Sequence, residues 1–209
     1  MPTRYNAIAG QSIERLAALS DGLFAVAMTL LVLDLKVPAA DAIHSERALL
    51  GALIDLAPRL LIYLMSFLTL GIFWVGQQTQ LNHFSRGDRY LTWIHLAFLF
   101  AVTLMPFSTS LMAEMVTLRT ALVVYWLNIL ALGVILFVSW RYARRAGLIA
   151  KEAPEALDGA VEQRIIIAQI LYAVGAALCV VNTYCSIGFI ILVQGIYVVG
   201  PRRGFLARL

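Results

Sequence analysis

A chain of 209 residues that is 61% apolar and only 13% charged is not an ordinary soluble domain, in which about a quarter of the residues carry charge. It reads as an integral membrane protein. The formal net charge of +4 calls for no nucleic-acid partner, because basic residues gathered at one membrane face meet anionic headgroups there.

Six apolar segments are predicted, at 13–36, 52–76, 89–112, 118–140, 163–181 and 184–200. They make an all-α membrane protein with one six-helix domain over residues 1–209. The last two segments nearly fuse; they are divided at Asn182, Thr183 and Tyr184 because one helix over 165–199 would be about 50 Å long against a hydrocarbon core of about 30 Å. The first run is too long for a signal peptide and lacks a small-residue cleavage site, so it is expected to be a retained span. Arg4, Arg15, Arg86, Arg89, Arg141, Arg144, Arg145, Lys151, Arg164, Arg202, Arg203 and Arg208 fall on one side of these spans; Lys36, Arg47, Arg59 and Arg119 fall on the other. The asymmetry predicts a multi-pass protein of the cell membrane with both termini cytoplasmic.

The first segment is apolar from Leu16 to Leu33 except at Ser20, Asp21 and Thr29. Asp21 lies roughly 9 Å along a helix from Arg15. A carboxylate at that depth must face protein or water, which marks it as functional or architectural. Leu19, Gly22, Val26, Leu30 and Leu33 follow steps of three and four and form one stripe, with Thr29 at its flank and Ser20 and Asp21 pointing away. Spacing alone leaves that stripe open as a lipid-facing or helix-packing surface. The connection that follows begins at Pro38 and mixes Asp41, Glu46 and Asp55 with His44 and Arg47. It reads as a solvated loop, its few charges screened by salt.

In the second segment Tyr63, Ser66, Phe67, Gly71, Phe73 and Trp74 precede the amide pair Gln77 and Gln78, which can hydrogen-bond across helices. Trp74 taken alone is an interfacial anchor. In the third, Pro106 frees a carbonyl and permits a kink that neighbouring helices must satisfy. His95 is a lone hydrogen-bonded packing group, and nothing brings His44, His83 and His95 to ligand spacing, so no metal site is predicted. The fourth segment has Asn128 as its one polar interior group and ends in an anchor of Trp140, Arg141 and Tyr142. Residues 141–164 form a cytoplasmic linker. Gly175, Ala176, Ala177, Gly188 and Gly195 allow close packing of the last two segments. Cys179 and Cys185 flank the short turn as small apolar residues, not a disulfide framework. No phosphate-cradling loop, nucleophile elbow or paired carboxylates are present, so no catalytic residues are assigned.

Arg15-x-x-x-Leu19-Ser20-Asp21-Gly22 followed by Ala25-Val26 and Thr29-Leu30-Leu31-Val32-Leu33, Ser66-Phe67 with Trp74, and Pro106-Phe107-Ser108-Thr109 together resemble the signatures of the first three helices of the transmembrane protein 175 family, the endosomal/lysosomal-type potassium channels and their prokaryotic relatives. Leu19 stands where the family has Phe, Val26 where it has Ile, and Gln77 and Gln78 where prokaryotic members often have paired His. The resemblance covers roughly residues 15–110 and implies a potassium-favouring cation channel, weakly to moderately selective over sodium, with no cofactor beyond permeant potassium. One first helix cannot enclose a pore, so several chains must share an axis. Family analogy implies four chains, with the pore along the first helix, its constriction at Val26, Leu30 and Leu33, and Thr29 as the flanking selectivity candidate. It also implies that Arg15, Ser20, Asp21, Gly22 and Trp74 form a structural network, and the angular separation of Ser20 and Asp21 from Val26 keeps these two out of the pore. Leu31, about 140° round from Val26, is expected to tolerate substitution without effect on conduction. A transporter coupled to ions or protons, or a non-conducting membrane protein, stays open as the alternative; Asp21 and His95 are the deep ionisable groups that a midplane site would draw on.

Overall fold

The computed structural model describes residues 12–150 and 155–199. Arg4, Lys151, Arg202, Arg203 and Arg208, counted in the charge asymmetry, lie outside the described residues. The architecture is all-helical. Helix α1 spans Ile13–Leu30 and tightens into a 3-10 turn over Leu31–Asp34, α2 spans Glu46–Asp55, α3 Ala57–Leu81, α4 Arg89–Thr103, α5 Met105–Glu114, α6 Arg119–Arg145, α7 Glu155–Ala177 and α8 Thr183–Val199. Among the described residues five stretches are long and apolar enough to cross a membrane: Ile13–Asp34, Ala57–Leu81, Arg89–Glu114, Arg119–Arg145 and Gly159–Val180. The apolar helix α8 is shorter, at 17 residues.

Several predicted boundaries move, each for a local reason. Segment two begins at Ala57 instead of 52, because Pro58 occupies the first turn of α3, the position where its missing N–H costs nothing. The residues before it form the separate α2, started by Ser45, whose hydroxyl accepts from the Ala48 amide at 3.2 Å. The connection expected as loop therefore holds a helix. At its other end α3 runs on to Leu81, since Gln77 and Gln80 are buried against other helices and do not end it. Segment three divides at Leu104 into α4 and α5, with Pro106 in the first turn of α5. In the amide orientation that satisfies both its ends, Asn128 of α6 donates to the Ala101 carbonyl at 3.0 Å and accepts from the Met105 amide at 3.2 Å. A neighbouring helix thus supplies the hydrogen bonds that the break requires.

Segment four extends past 140 to Arg145. Trp140 is fully buried and stacked on Phe84 at 6.0 Å between ring centroids, so it is a packing residue and not the interfacial anchor expected. Nor is Asn128 the one polar group in α6: Tyr125 and Ser139 are buried as well. The helix stops at a Schellman motif in which Leu148 donates to the Ala143 carbonyl and Gly147 to that of Arg144. Gly147 has φ of +64°, the left-handed conformation that glycine adopts at lowest cost. Helix α7 begins at Glu155, ahead of the expected 163, and its Glu162 pairs with Arg144 at 3.5 Å and Arg141 at 3.9 Å. The division near 182 stands where the turn residues placed it, with Asn182 accepting from the Tyr184 amide at 2.7 Å.

The core runs through α1, α3, α4, α5, α6, α7 and α8, with Phe24, Leu31, Met65, Phe98, Met105, Tyr125 and Ile190 among its buried members. Helix α4 packs on α6 and α1, α3 on α8 and α5, and α7 on α6 and α8. Among the described residues helix α1 packs against α3, α4 and α5.

Candidate functional site

The buried side of α1 is made by Leu16, Ser20, Phe24 and Ala27. On the side turned away from it stand Leu19, Gly22, Val26, Thr29, Leu30 and Leu33, all exposed; Val26 is 53% and Leu33 69% accessible. A Cβ placed on Gly22 meets nothing within 4 Å. The 3-10 turn sharpens the arrangement, because three residues per turn eclipse positions three apart. Leu33 is carried over Leu30, and Asp34 over the buried Leu31, where it accepts a hydrogen bond from Ser110 at 2.8 Å. Leu31 is a core residue with no accessible surface. It lies off the exposed stripe, and a polar group there enters the packed interior. Thr29 donates its hydroxyl back to the carbonyls of Val26 at 2.8 Å and Ala25 at 3.0 Å, so its proton is used within the helix while its oxygen keeps free lone pairs.

The stripe is held in orientation by hydrogen bonds on its flank. Asp21 Oδ1 accepts from Trp74 Nε1 at 2.8 Å and from Gln78 Nε2 at 2.7 Å. One residue earlier, Ser20 donates to the Leu16 carbonyl at 2.8 Å and accepts from Gln77 Nε2 at 3.0 Å. The two consecutive glutamines of α3 thus grip the two consecutive polar residues of α1. Ser20 and Gln77 are fully buried; Asp21 and Trp74 are partly open on the same flank. Trp74 is consequently a donor to α1 as well as an exposed ring. Arg15 is placed differently from the expected network. Four residues before Leu19, it falls on the exposed stripe, and among the described residues its guanidinium has no hydrogen bond or ion pair. Gly22 likewise faces outward and contributes no bond.

A second set of polar side chains, not singled out from the sequence as one group, joins four helices inside the core. Tyr125 of α6 meets Thr69 of α3 at 3.0 Å and accepts from Ser66 at 3.3 Å; Ser66 accepts from Thr109 of α5 at 2.8 Å; Gln194 of α8 donates to Thr69 at 2.6 Å and to the Met65 carbonyl at 3.0 Å. The signal available in the sequence was hydroxyls and an amide inside apolar runs, which in a membrane seek one another. At the far end of α1, Arg59 and Glu114 pair at 3.0 Å beside Lys36 at 4.0 Å. His95 is buried with Nδ1 on the Leu91 carbonyl at 3.1 Å. Among the described residues no group of three His, Cys, Asp or Glu could hold a metal ion.

Comparison with known proteins falls on the same helices. The family described as Endosomal/lysosomal potassium channel TMEM175 matches residues 15–106, from the start of the stripe to the proline break. A potassium channel of Chamaesiphon minutus is 32% identical over 178 residues, 83% of this chain and 87% of the relative. A crystal structure described as a lysosomal potassium-selective channel TMEM175 homolog from the same organism superimposes with a TM-score of 0.76 at 28% identity, covering 90% of this chain and 96% of that one. The human endosomal/lysosomal proton channel TMEM175 is 33% identical over 111 residues, which is 22% of its own length. These relatives are ion channels and not enzymes. Shared sequence across nearly the whole bacterial relative, and a shared arrangement of apolar helices, make this chain a multi-pass membrane protein that belongs to the TMEM175 family.

Proposed function

We propose that this chain is the subunit of a potassium-favouring cation channel in which the first helices of several copies, four on family analogy, surround a shared axis. Val26, Leu30 and Leu33 form its apolar constriction, and Thr29 offers hydroxyl oxygen beside it. The observation that carries the reading is the exposed stripe on α1: an apolar row with Gly22 and Thr29, on the side opposite the chain's own core, covered by nothing among the described residues. The names of the relatives support the ion. A hydrophobic constriction gates by dewetting and discriminates weakly among alkali cations, and the chain contains no Thr-Val-Gly-Tyr-Gly segment that would build a carbonyl filter. Selectivity over sodium is therefore modest. No cofactor enters this mechanism; potassium is the permeant ion.

Purified protein in liposomes tests the function. Potassium should move down its gradient without a second solute, and sodium more slowly by a modest factor. Flux that requires a co-substrate would establish a coupled transporter instead, and no flux a non-conducting membrane protein. The topology has its own test. Six spans, with α8 as the sixth and both ends in the cytoplasm of a cell-membrane protein, follow from the basic-residue asymmetry. A reporter fused after Leu209 should be active only in the cytoplasm; activity on the outside would overturn the orientation.

A further inference from the structure

A cavity of about 340 Å³ lies between α3, α6, α7 and α8, apart from the α1 stripe and within the range of roughly 300–1,000 Å³ typical of small-molecule sites. Its wall is mostly apolar, with Phe73, Leu136, Ile165 and Val198. Glycine makes the room: Gly71 lines the space, and a Cβ built there meets nothing within 4 Å. Two wall residues nevertheless carry buried carbonyl oxygens with no donor, Gln80 and Gln169. The Gln80 amide nitrogen is committed to the Leu136 carbonyl at 3.0 Å, which fixes its oxygen as an acceptor. Both oxygens are closed off from the space, so the surface that an occupant meets stays largely apolar. The wall also includes Arg164, exposed and lying over the Tyr197 ring at 5.3 Å. Arg141 and Arg144 at the same end are taken by Glu162, whereas Arg164 has no carboxylate partner among the described residues.

A mostly apolar cavity between membrane helices, with a cation in its wall that has no carboxylate partner among the described residues, describes one kind of ligand. We propose that this cavity is the seat of an anionic phospholipid, its acyl chain in the apolar space and its phosphate on Arg164. Basic pockets between membrane helices hold anionic headgroups on this physical basis, each arginine near the surface contributing an attraction equivalent to about fivefold in affinity. The site is separate from the α1 stripe and does not depend on how ions pass.

Native mass spectrometry of the detergent-purified protein, titrated with dioleoyl phosphatidylglycerol and with dioleoyl phosphatidylcholine, tests the proposal. Phosphatidylglycerol should bind about fivefold tighter, and inorganic phosphate should not displace it. Arg164→Gln should erase that preference, while Arg145→Gln, at an exposed arginine on the same end, should keep it. Gly71→Phe, which fills the space, should weaken both lipids in protein that elutes as the wild-type oligomer. Equal binding of the two lipids by wild type, loss of preference in both arginine variants alike, displacement by inorganic phosphate, or unchanged binding in Gly71→Phe would each overturn it.

Discussion

Asp21→Ala should cut the yield of assembled protein before it alters ion preference. The carboxylate is the shared acceptor for Trp74 and Gln78, and its removal frees both donors on the flank that orients α1. Hydrogen bonds to charged groups contribute about 1.5–3 kcal/mol each. Because Asp21 is exposed in the chain, water replaces part of what is lost, and the combined loss falls below that sum, at about 2 kcal/mol. Asp21→Asn retains an acceptor oxygen and should recover much of the lost material. Size-exclusion yield and thermal melting of the two variants, read beside flux per assembled channel, check this. Normal yield with changed selectivity in Asp21→Ala would place the carboxylate in the conduction path.

Val26→Asn should raise basal cation flux about tenfold and weaken the preference for potassium. A tenfold change in rate needs only about 1.4 kcal/mol of barrier, and exchanging an apolar for an amide side chain shifts the local balance by about 1–3 kcal/mol on protein scales. The amide wets a ring that valine keeps dry. Val26→Phe should act in the opposite direction by narrowing the ring. Valine lacks one methylene relative to the isoleucine that the resemblance places there, so a constriction at Val26 should be slightly wider or easier to wet. Leu31 is unsuited as the silent control because it is packed in the core. Val134, exposed on α6, serves instead, and Val134→Asn and Val134→Phe should leave conduction as it is. Liposome flux of the four variants decides the matter; equal effects at 26 and 134 would remove the stripe from the pore.

The α1 stripe was legible because its signal is purely angular. Steps of three and four put Leu19, Val26 and Leu30 on one side whatever they face, and the same arithmetic set Ser20 and Asp21 apart. What covers that side is not encoded within one chain's pattern, since an apolar row reads alike toward lipid, helix or axis. Hydropathy failed wherever a polar or charged residue stays inside a helix by finding a partner. Gln77 and Gln80 prolong α3 because Ser20 and the Leu136 carbonyl receive their amides, and Arg144 prolongs α6 because Glu162 meets it. Partners 18 to 57 residues away leave no local trace. Trp140 was misjudged for a related reason: next to Arg141 it looks like a headgroup anchor, yet Phe84 and the chain reversal at Gly147 enclose it. Arg15, counted with Asp21 from the family pattern, lies on another side of the helix altogether.

The central claim, that the Gly22–Val26–Leu30–Leu33 row surrounds a shared aqueous path, is tested most directly by cysteine substitution. In a background with Cys179 and Cys185 replaced, Val26→Cys channels in liposomes should lose potassium flux on exposure to a small, membrane-impermeant thiol reagent. Val134→Cys channels under the same treatment should keep theirs. Block at both positions alike, or persistence of flux after mass spectrometry has shown Val26→Cys to be modified, would contradict the account.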